Sequence, residues 1–192
     1  MVFNTIEHGW LTNVSHRSSV NCDERPSGSV IELLVVHGIS LPPGEFGEGW
    51  IEDLFCNQLD PEAHPAFAEI AALRVSAHLL IRRDGTTVQF VPFEKRAWHA
   101  GESCFEGRTR CNDFSIGIEL EGSDDAPYDP AQYRMLARLA RLLMVTYPAI
   151  TAERIVGHSD VAPGRKTDPG ASFDWSRFRA MLQDDLYSAS EV

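Results

Sequence analysis

The sequence has few cysteines and no paired cysteine motif. Its four cysteines, among 192 residues, never form a Cys-x-x-Cys pair, so neither a thiolate zinc knuckle nor a thioredoxin-type redox site is indicated. Four thiols could form two disulfides, but no secretion signal accompanies them, and we expect reduced thiols. Each is interpreted as a small packing residue, and a Cys/His nucleophilic site stays as the alternative.

Long hydrophobic runs are also missing. No apolar stretch approaches the ~18 residues that indicate a membrane span. Residues 1–10 lack the basic start, the apolar centre and the small-residue cleavage site of a secretory signal. We therefore expect a cytoplasmic protein without a membrane segment, long enough for one domain with a full-sized core.

Positive charge is scarce. The chain has 17 Lys and Arg against 28 Asp and Glu, which gives a formal net charge of −11. Such a surface repels nucleic acid, acidic lipid and anionic polymers. We therefore expect no nucleic-acid partner and no polybasic membrane anchor, and the pattern indicates no obligate protein partner.

Strand and helix patterns are mixed along the chain. We interpret residues 1–29 as an irregular N-terminal lead-in, 30–187 as one domain and 188–192 as a frayed tail. One antiparallel hairpin accompanies strands that are separated by helices. The expected fold is mixed α/β (α+β), with a central mixed β-sheet flanked by helices.

Four stretches carry the strand signal. They are VIELLVV at 30–36, which ends at His37, the hairpin arms 76–83 and 86–91 around Asp84-Gly85, SIGIELE at 115–121, and Ile155-Val156. In SIGIELE the apolar residues strictly alternate with Ser115, Gly117, Glu119 and Glu121, which predicts one apolar and one polar face.

Helices are expected over 50–57, 62–72 and 174–187, and the clearest one follows Asp129. Asp129 is a good N-cap, Pro130 suits the first helical position, and Pro148 ends the apolar stripe. Residues 40–49 are rich in Pro and Gly and predict a loop. We take the segment 40–73 as a possible mobile cover over a site.

Three residues form a metal-binding hypothesis. His37 and His158 each follow a short strand, and Asp168 ends a Pro/Gly-rich loop ten residues after His158. Catalytic zinc sites use imidazole and carboxylate ligands and leave one position open. Seven histidines also allow accidental pairings, so spacing alone does not separate a metal site from structural histidines and a turn.

Other polar residues have two interpretations each. Glu119 could accept a proton from an attacking water, but Glu121 shares its face, and either could simply face solvent. Lys166 could stabilise an oxyanion, or, like Arg165, be a solvated loop cation.

The segment 98–101 places an aromatic ring beside an imidazole. Trp98 could stack on a sugar or belong to the core. His78, inside a strand, is expected in the core or behind a ligand.

Longer segments resemble a known family, the zinc-dependent N-acetylmuramoyl-L-alanine amidases, which share a fold with phage amidases and peptidoglycan-recognition proteins. Within it, the chain looks most similar to cytoplasmic amidases that act on 1,6-anhydro-muropeptides in wall recycling. The matching segments are LLVVHGISLPPGEFG (33–47), LRVSAHLLIRRDG (73–85), VPFEKRAWHAG (91–101), RCNDFSIGIELEG (110–122), GHSDVAPGRKTDPG (157–170) and FDWSRF (173–178).

The resemblance implies a role for each candidate. It implies one zinc ion held by His37, His158 and Asp168. It selects Glu119 rather than Glu121 as the residue that activates water, and it makes Lys166 the residue that stabilises the tetrahedral intermediate.

The implied reaction is hydrolysis of the amide between a muramic-acid lactyl group and L-alanine. Arg74 and Trp98 fall where relatives bind the peptide and the anhydro-sugar, so the expected partner is an anhydro-muropeptide. Gly38 and Gly164 depart from the asparagine and glutamate that are usual in close relatives. The Gly38 departure is expected to alter contacts to the substrate, and neither departure removes a ligand.

Three alternatives remain at this stage. They are an inactive peptidoglycan-binding module, an envelope amidase that acts on polymeric wall, and a zinc peptidase that uses the same ligands. The presence of Asp168, Glu119 and Lys166 disfavours the first, and the missing secretion signal disfavours the second.

Overall fold

A six-stranded mixed β-sheet forms the centre of the computed structural model, which describes residues 5–188. The strands are β1 (Ile6–Glu7), β2 (Trp10–Leu11), β3 (Ser15–His16), β4 (Cys22–Glu24), β5 (Leu33–Ile39), β6 (Leu79–Ile81), β7 (Thr87–Gln89), β8 (Lys95–Ala97), β9 (Cys104–Phe105), β10 (Arg108–Thr109), β11 (Ser115–Glu121) and β12 (Ile155–Gly157). The helices are α1 (Trp50–Phe55), α2 (Pro130–Thr146), α3 (His158–Val161) and α4 (Trp175–Ser188).

The sheet has the strand order β12-β5-β11-β6-β7-β3. Strands β12, β5, β11 and β6 are parallel, whereas β6 and β7 form the expected antiparallel hairpin. The prediction of a mixed sheet with flanking helices is confirmed. Since parallel strands end at the same edge, the carboxyl ends of β12, β5 and β11 lie together.

Strand β11 lies between β5 and β6 in the interior of this sheet and is buried along its whole length. Its apolar residues Ile116, Ile118 and Leu120 join the core cluster that also contains residues of α2 and α4. The predicted alternation is confirmed, but its polar face is not open to solvent. Glu119 is only 9% exposed and Glu121 only 2%, because loops cover that face as helices cover the other.

Helix α2 begins as its sequence signals predict. The Asp129 side chain accepts a hydrogen bond from the Ala131 amide, and the Gln132 side chain accepts one from the Asp129 amide. This reciprocal capping leaves Pro130 at the first turn, where no backbone donor is needed. The expected helices near 50–57 and 174–187 are confirmed as α1 and α4.

The expected helix over 62–72 is wrong. Only a short 3-10 helix forms there, at Pro65–Phe67. His64 precedes a proline and takes an extended conformation, with φ −156° and ψ 142°, which an α-helix cannot include. The buried ring of Phe67 anchors this segment instead.

The lead-in is more ordered than expected. Within its described part, β3 pairs with β7 and β4 pairs with β8. The half-buried Arg25 donates hydrogen bonds to the carbonyls of Phe93, Asn112 and Ser115. The expectation of an irregular lead-in over 1–29 is therefore too coarse, because long-range pairing supplies order that its polar composition does not signal. Residues 189–192 of the expected tail lie outside the described residues.

Two further expectations concern cysteines and membranes. All four cysteines are free thiols. Within residues 5–188, no helix combines the length and the apolar character that crossing a bilayer requires.

Candidate metal centre

The sheet brings two distant histidines together. His37 lies on β5 directly opposite Glu119 of β11, and Gly157 of β12 pairs with Val36. His158 follows Gly157 as the first residue of α3, so its side chain emerges beside that of His37. Asp168, on the loop after α3, completes a group whose ligand atoms all lie within 4.8 Å of one another.

The spacing within this group fits a zinc ion. The His37 and His158 Nδ1 atoms are 3.0 Å apart, and Asp168 Oδ2 lies 3.0 Å from the His158 Nδ1 and 3.3 Å from the His37 Nδ1. Ligands bound tetrahedrally at about 2.0–2.1 Å are separated by about 3.3 Å. Two imidazole nitrogens and one carboxylate oxygen also match the chemistry of catalytic zinc ligands.

The outer nitrogen of His158, Nε2, faces away from the group, and its hydrogen bond determines which ring nitrogen carries the proton. His158 Nε2 lies 3.2 Å from the carbonyl oxygen of Ala100, which can only accept a hydrogen bond. In the neutral imidazole Nε2 therefore carries the proton, and Nδ1 presents a lone pair to the group. This is the form of histidine that binds a metal.

Burial and neighbouring groups favour a neutral His37 ring and an ionised Asp168 carboxylate. Burial is the main reason that the pKa of His37 falls to about 4, so its imidazole is neutral near pH 7. Burial alone would raise the pKa of the Asp168 carboxyl, but the two adjacent imidazoles hold it well below its ordinary value. A neutral imidazole and an ionised carboxylate are ready to bind a cation.

Glu119 lies beside this group with unused hydrogen-bonding capacity. Its Oε1 is 3.9 Å from the His37 Nδ1, and its buried Oε2 has no hydrogen-bond partner among the described residues. Burial, and then the charge of Asp168, raise its pKa well above the ordinary value, while Lys166 opposes the shift. A carboxylate held in this way can accept a proton from a nearby water.

Glu121 is buried too, but its carboxylate is fully engaged. One oxygen accepts the Gly47 amide at 2.6 Å, and the other accepts the Arg83 amide at 3.1 Å. Glu121 thus ties the loop after β5 to the turn after β6. It is a structural acid, and neither glutamate is the solvent-facing residue that the sequence pattern also allowed.

A cavity of about 210 Å³ opens onto the group. Its lining residues are Gly38, Ile39, Leu54, Phe55, Leu73, Val75, Ser76, Trp98, His99, Glu119, His158, Lys166 and Asp168. Lys166 is exposed at the rim, whereas the ligand side chains are largely buried. Arg165, by contrast, donates hydrogen bonds to the Ala100 and Glu102 carbonyls and holds the loop in place.

The two residues expected to contact substrate differ in position. Trp98 lines the cavity, and its indole Nε1 lies 3.3 Å from Asp23 Oδ1. Arg74 is exposed, and its guanidinium donates to the backbone carbonyls of Ala72 and Leu73 in its own segment. The structure therefore brings Trp98 to the cavity and places Arg74 beside the wall, not in it.

Two residues near the group were not assigned to it from the sequence. His99 Nδ1 lies 2.9 Å from the outer nitrogen of His37, and the Tyr128 hydroxyl donates at 2.9 Å to the Pro169 carbonyl, next to Asp168. The pairing of His99 with Trp98 was a signal for the first. Tyr128 had none, because its contact depends on tertiary structure. His78 is in the core, as expected.

Gly38 is explained by Tyr128. A Cβ atom at position 38 would lie 2.1 Å from the Tyr128 hydroxyl oxygen, so no larger residue fits while that ring is in place. Gly164 has φ +75° and is exposed, with open space where a side chain would be. Gly38 is thus coupled to the packing behind Asp168, whereas Gly164 lies on the outer loop and meets no neighbouring group.

The segment 40–73 is held by several contacts. Besides the Glu121 bond to Gly47, the buried Glu52 of α1 pairs with Arg82, and the Ser40 hydroxyl accepts the Gly44 amide. Leu54, Phe55 and Leu73 from this segment form one wall of the cavity. That the segment moves as a cover stays a prediction.

Comparisons with known proteins agree on one family. A family model of N-acetylmuramoyl-L-alanine amidases matches residues 27–171. AmpD of Enterobacter cloacae, whose name is 1,6-anhydro-N-acetylmuramyl-L-alanine amidase, is 62% identical over 177 residues, or 92% of this chain and 94% of that protein.

Solved structures give the same result. The crystal structure of a selenomethionine AmpD derivative matches with a TM-score of 0.90 and 58% identity, over 95% of this chain and 99% of that one. AmiD from E. coli was solved with the substrate anhydro-N-acetylmuramic acid-L-Ala-D-gamma-Glu-L-Lys. It matches with a TM-score of 0.59 and 27% identity, over 93% of this chain and 65% of AmiD.

Proposed function

The chain belongs to the N-acetylmuramoyl-L-alanine amidase family, and we propose that it uses one zinc ion to release L-alanine-linked peptides from 1,6-anhydro-N-acetylmuramic acid. The bond cut is the amide between the lactyl group and L-alanine. One observation carries the proposal: two imidazole nitrogens and a carboxylate oxygen converge beside a buried carboxylate oxygen that has no partner among the described residues.

The zinc ligands in this proposal are His37 and His158, through their Nδ1 atoms, and Asp168, through Oδ2. When bound, zinc supplies Lewis acidity that polarises the lactyl carbonyl and makes water a stronger nucleophile. To bind the ion, the two imidazoles must present a lone pair, the carboxyl group must be ionised, and all three must keep their orientation. Burial restricts both imidazole rings, and for His37 it also favours the neutral form by lowering its pKa.

Glu119 acts as the general base. Its Oε2 takes a proton from the attacking water, and the same atom then returns the proton to the leaving alanine nitrogen. The unpartnered state of Oε2 supports this role, because no hydrogen bond must be broken before the proton arrives. Its raised pKa supports the first half of the cycle, since a more basic carboxylate accepts the proton of the attacking water more readily.

Lys166 stabilises the negative charge that develops on the lactyl oxygen. Its ammonium group stays exposed at the cavity rim, and its charge acts on both His37 and Glu119. A cation that faces the reacting carbonyl interacts more strongly with the tetrahedral intermediate than with the neutral amide.

Trp98 and Arg74 are the proposed substrate contacts. Trp98 offers an aromatic surface in the cavity on which the anhydro-sugar can stack. Arg74 lies outside the wall, where a carboxylate of the peptide could replace its present bonds to backbone carbonyls.

We further propose a cytoplasmic role in wall recycling. The acidic net charge of −11 suits a small, diffusing muropeptide better than an anionic wall polymer. The name of the E. cloacae relative, which specifies the 1,6-anhydro sugar, supports the same substrate.

Mass spectrometry of digested muropeptides tests the proposal. The purified protein is incubated with an anhydro-muropeptide, with the matching reducing-end muropeptide and with the free stem peptide, each with and without a chelator. We expect the intact stem peptide to be released from the anhydro-muropeptide, at a far lower rate from the reducing-end form, and not at all after chelation.

Each contrary result has its own meaning. Equal rates on both muropeptides would remove the recycling role but leave the amidase. Cleavage within the free stem peptide would indicate a peptidase. Undiminished turnover after complete chelation would remove the zinc mechanism.

A further inference from the structure

We propose that His99 is a positioning residue that sets the tautomer and orientation of His37 by accepting a hydrogen bond from its outer nitrogen. The inference rests on the zinc site proposed above, since it concerns how one ligand of that site is held. His99 acts through His37 and is assigned no contact with the reacting atoms.

The His37 ring separates His99 from the metal ligands. Its Nδ1 faces His158 and Asp168, while its Nε2 lies 2.9 Å from His99 Nδ1. If the His37 Nδ1 lone pair binds zinc, Nε2 must carry the proton of the neutral ring. His99 Nδ1 then accepts a hydrogen bond from this N–H. The hydrogen bond fixes the orientation of the His37 ring and increases the basicity of the His37 Nδ1.

A second hydrogen bond holds His99 itself. An imidazole that accepts at Nδ1 carries its proton on Nε2, and His99 Nε2 lies 3.2 Å from the Ser115 hydroxyl oxygen. The His99 backbone amide also donates to the Asn112 side chain at 3.3 Å. His99 is therefore held by both its ring and its backbone.

Strand β11 leaves room for this ring. A Cβ atom at Gly117 would lie 2.5 Å from His99 Cγ, closer than any real contact. Glycine weakens a strand interior, so its presence marks a place where another group must approach closely. Ser115, Gly117 and Glu119 share one face, and therefore one strand supplies the anchor, the space and the general base.

The loop that contains His99 and Ala100 contacts both histidines of the proposed zinc site. His99 contacts the outer nitrogen of His37, and the next residue, Ala100, accepts a hydrogen bond from the outer nitrogen of His158 through its carbonyl. One ligand is thus oriented by the backbone and the other by a side chain. Only the side-chain contact can be removed by substitution.

Zinc affinity of two variants tests the inference. His99→Leu removes the acceptor, and His99→Asn keeps one, because the amide oxygen can take the place of Nδ1. In competition with a chromophoric chelator, we expect His99→Leu to bind zinc about 10- to 100-fold more weakly than the wild type. His99→Asn should recover most of that loss, and the surface variant His8→Asn should show none.

A third variant tests the space on β11. Gly117→Ala removes no polar group but displaces the His99 ring. We expect a loss of zinc affinity similar to that of His99→Leu. If Gly117→Ala and His99→Leu both fold and both bind zinc as tightly as the wild type, the inference is wrong.

The wild-type protein supplies a measurement that needs no folded variant. In zinc-loaded, ¹⁵N-histidine-labelled protein, long-range ¹H–¹⁵N spectra should show His37 and His99 both protonated at Nε2 alone. A proton on the Nδ1 of His99 would overturn the inference while leaving zinc binding intact. A wild-type protein that binds no zinc at all would instead overturn the proposed function.

Discussion

The two glutamates of β11 lie two residues apart on one face of the strand, and both are buried, yet their surroundings differ. Glu121 receives a backbone N–H on each oxygen, whereas the Oε2 of Glu119 receives none from the described residues. Burying a polar atom without a partner is unfavourable. Because this atom belongs to a carboxylate beside His37, its lack of a partner among the described residues supports a chemical role for Glu119.

The difference follows from where the strand ends. Glu119 is in register with His37, at the level of the ligands. Glu121 is in register with Ile39, one step beyond them, where two loops turn and their amides point inward. We therefore propose a chemical role for Glu119 and a structural role for Glu121, and substitutions should separate these roles.

The largest expected effect is at Glu119. Glu119→Gln keeps the shape but removes the base, and we expect kcat to fall by about 10²- to 10⁴-fold. Thermal stability should be unchanged or higher, because a buried charge is lost, and zinc content should stay at the wild-type level. Turnover of anhydro-muropeptide and metal analysis measure both. Normal kcat in this variant would remove Glu119 from the mechanism.

Lys166 should show the next largest effect on turnover, and in this it should resemble Glu119 rather than Glu121. Lys166→Met keeps the chain length without the charge, and we expect kcat to fall about 10²- to 10³-fold, as when one oxyanion donor is removed. KM should change little. The half-buried Lys95, which pairs with Glu24 and does not line the cavity, supplies a control as Lys95→Met. Equal losses in both variants would contradict a specific role.

Glu121 should show the opposite behaviour. Glu121→Gln places an amide NH₂ against one of two backbone donors, which leaves a buried donor unsatisfied and should lower the free energy of unfolding by about 1–3 kcal/mol. Below the unfolding transition, kcat should remain within a few-fold of wild type. Urea unfolding and turnover measure the two quantities, and Glu45→Gln, an exposed change in the nearby loop, is the control. A large loss of kcat with full stability would erase the contrast between the two glutamates.

The smallest effect is expected for the stability contribution of Asp23, a partly exposed carboxylate. Hydrogen bonds from Arg96 lower the pKa of Asp23 below its unfolded value, against the opposing effect of burial. The ionised pair therefore stabilises the fold above pH ~3.9, the unfolded value, and this contribution is lost as pH falls through the folded pKa. Asp23→Asn should lower stability by less than about 1 kcal/mol at pH 7. The stability difference between the two proteins should shrink as the pH falls below ~3.9, the unfolded value; a difference that stays constant would show that the pair contributes no charge-dependent stability.

Elements with strong local signals could be predicted from the sequence. The cap at Asp129 and the alternation of SIGIELE locate α2 and β11. The helix predicted over 62–72 was wrong because Pro65 forces the residue before it into an extended conformation, although the segment is otherwise rich in helix-forming residues. The order within residues 5–29 depends on pairing with β7 and β8, which a local pattern does not reveal.

The candidate site likewise combines residues that the sequence indicates with residues that only tertiary structure reveals. The alternating pattern does not distinguish Glu119 from Glu121. The family resemblance favours Glu119, and the two hydrogen bonds that Glu121 accepts support that assignment, which stays a prediction. His99 and Tyr128 reach the ligands only through tertiary packing, against Gly117 and Gly38. The glycines were visible in the sequence, but the rings that occupy their space were not.

A zinc titration of metal-free protein tests the proposed centre most directly. The chelated protein is supplied with increasing zinc, and release of the stem peptide from anhydro-muropeptide is followed at each step, with Asp168→Ala in parallel. We predict that the rate rises linearly and levels off at one zinc ion per chain, and that Asp168→Ala stays inactive over this range. Full turnover before any zinc is added would contradict a centre formed by His37, His158 and Asp168.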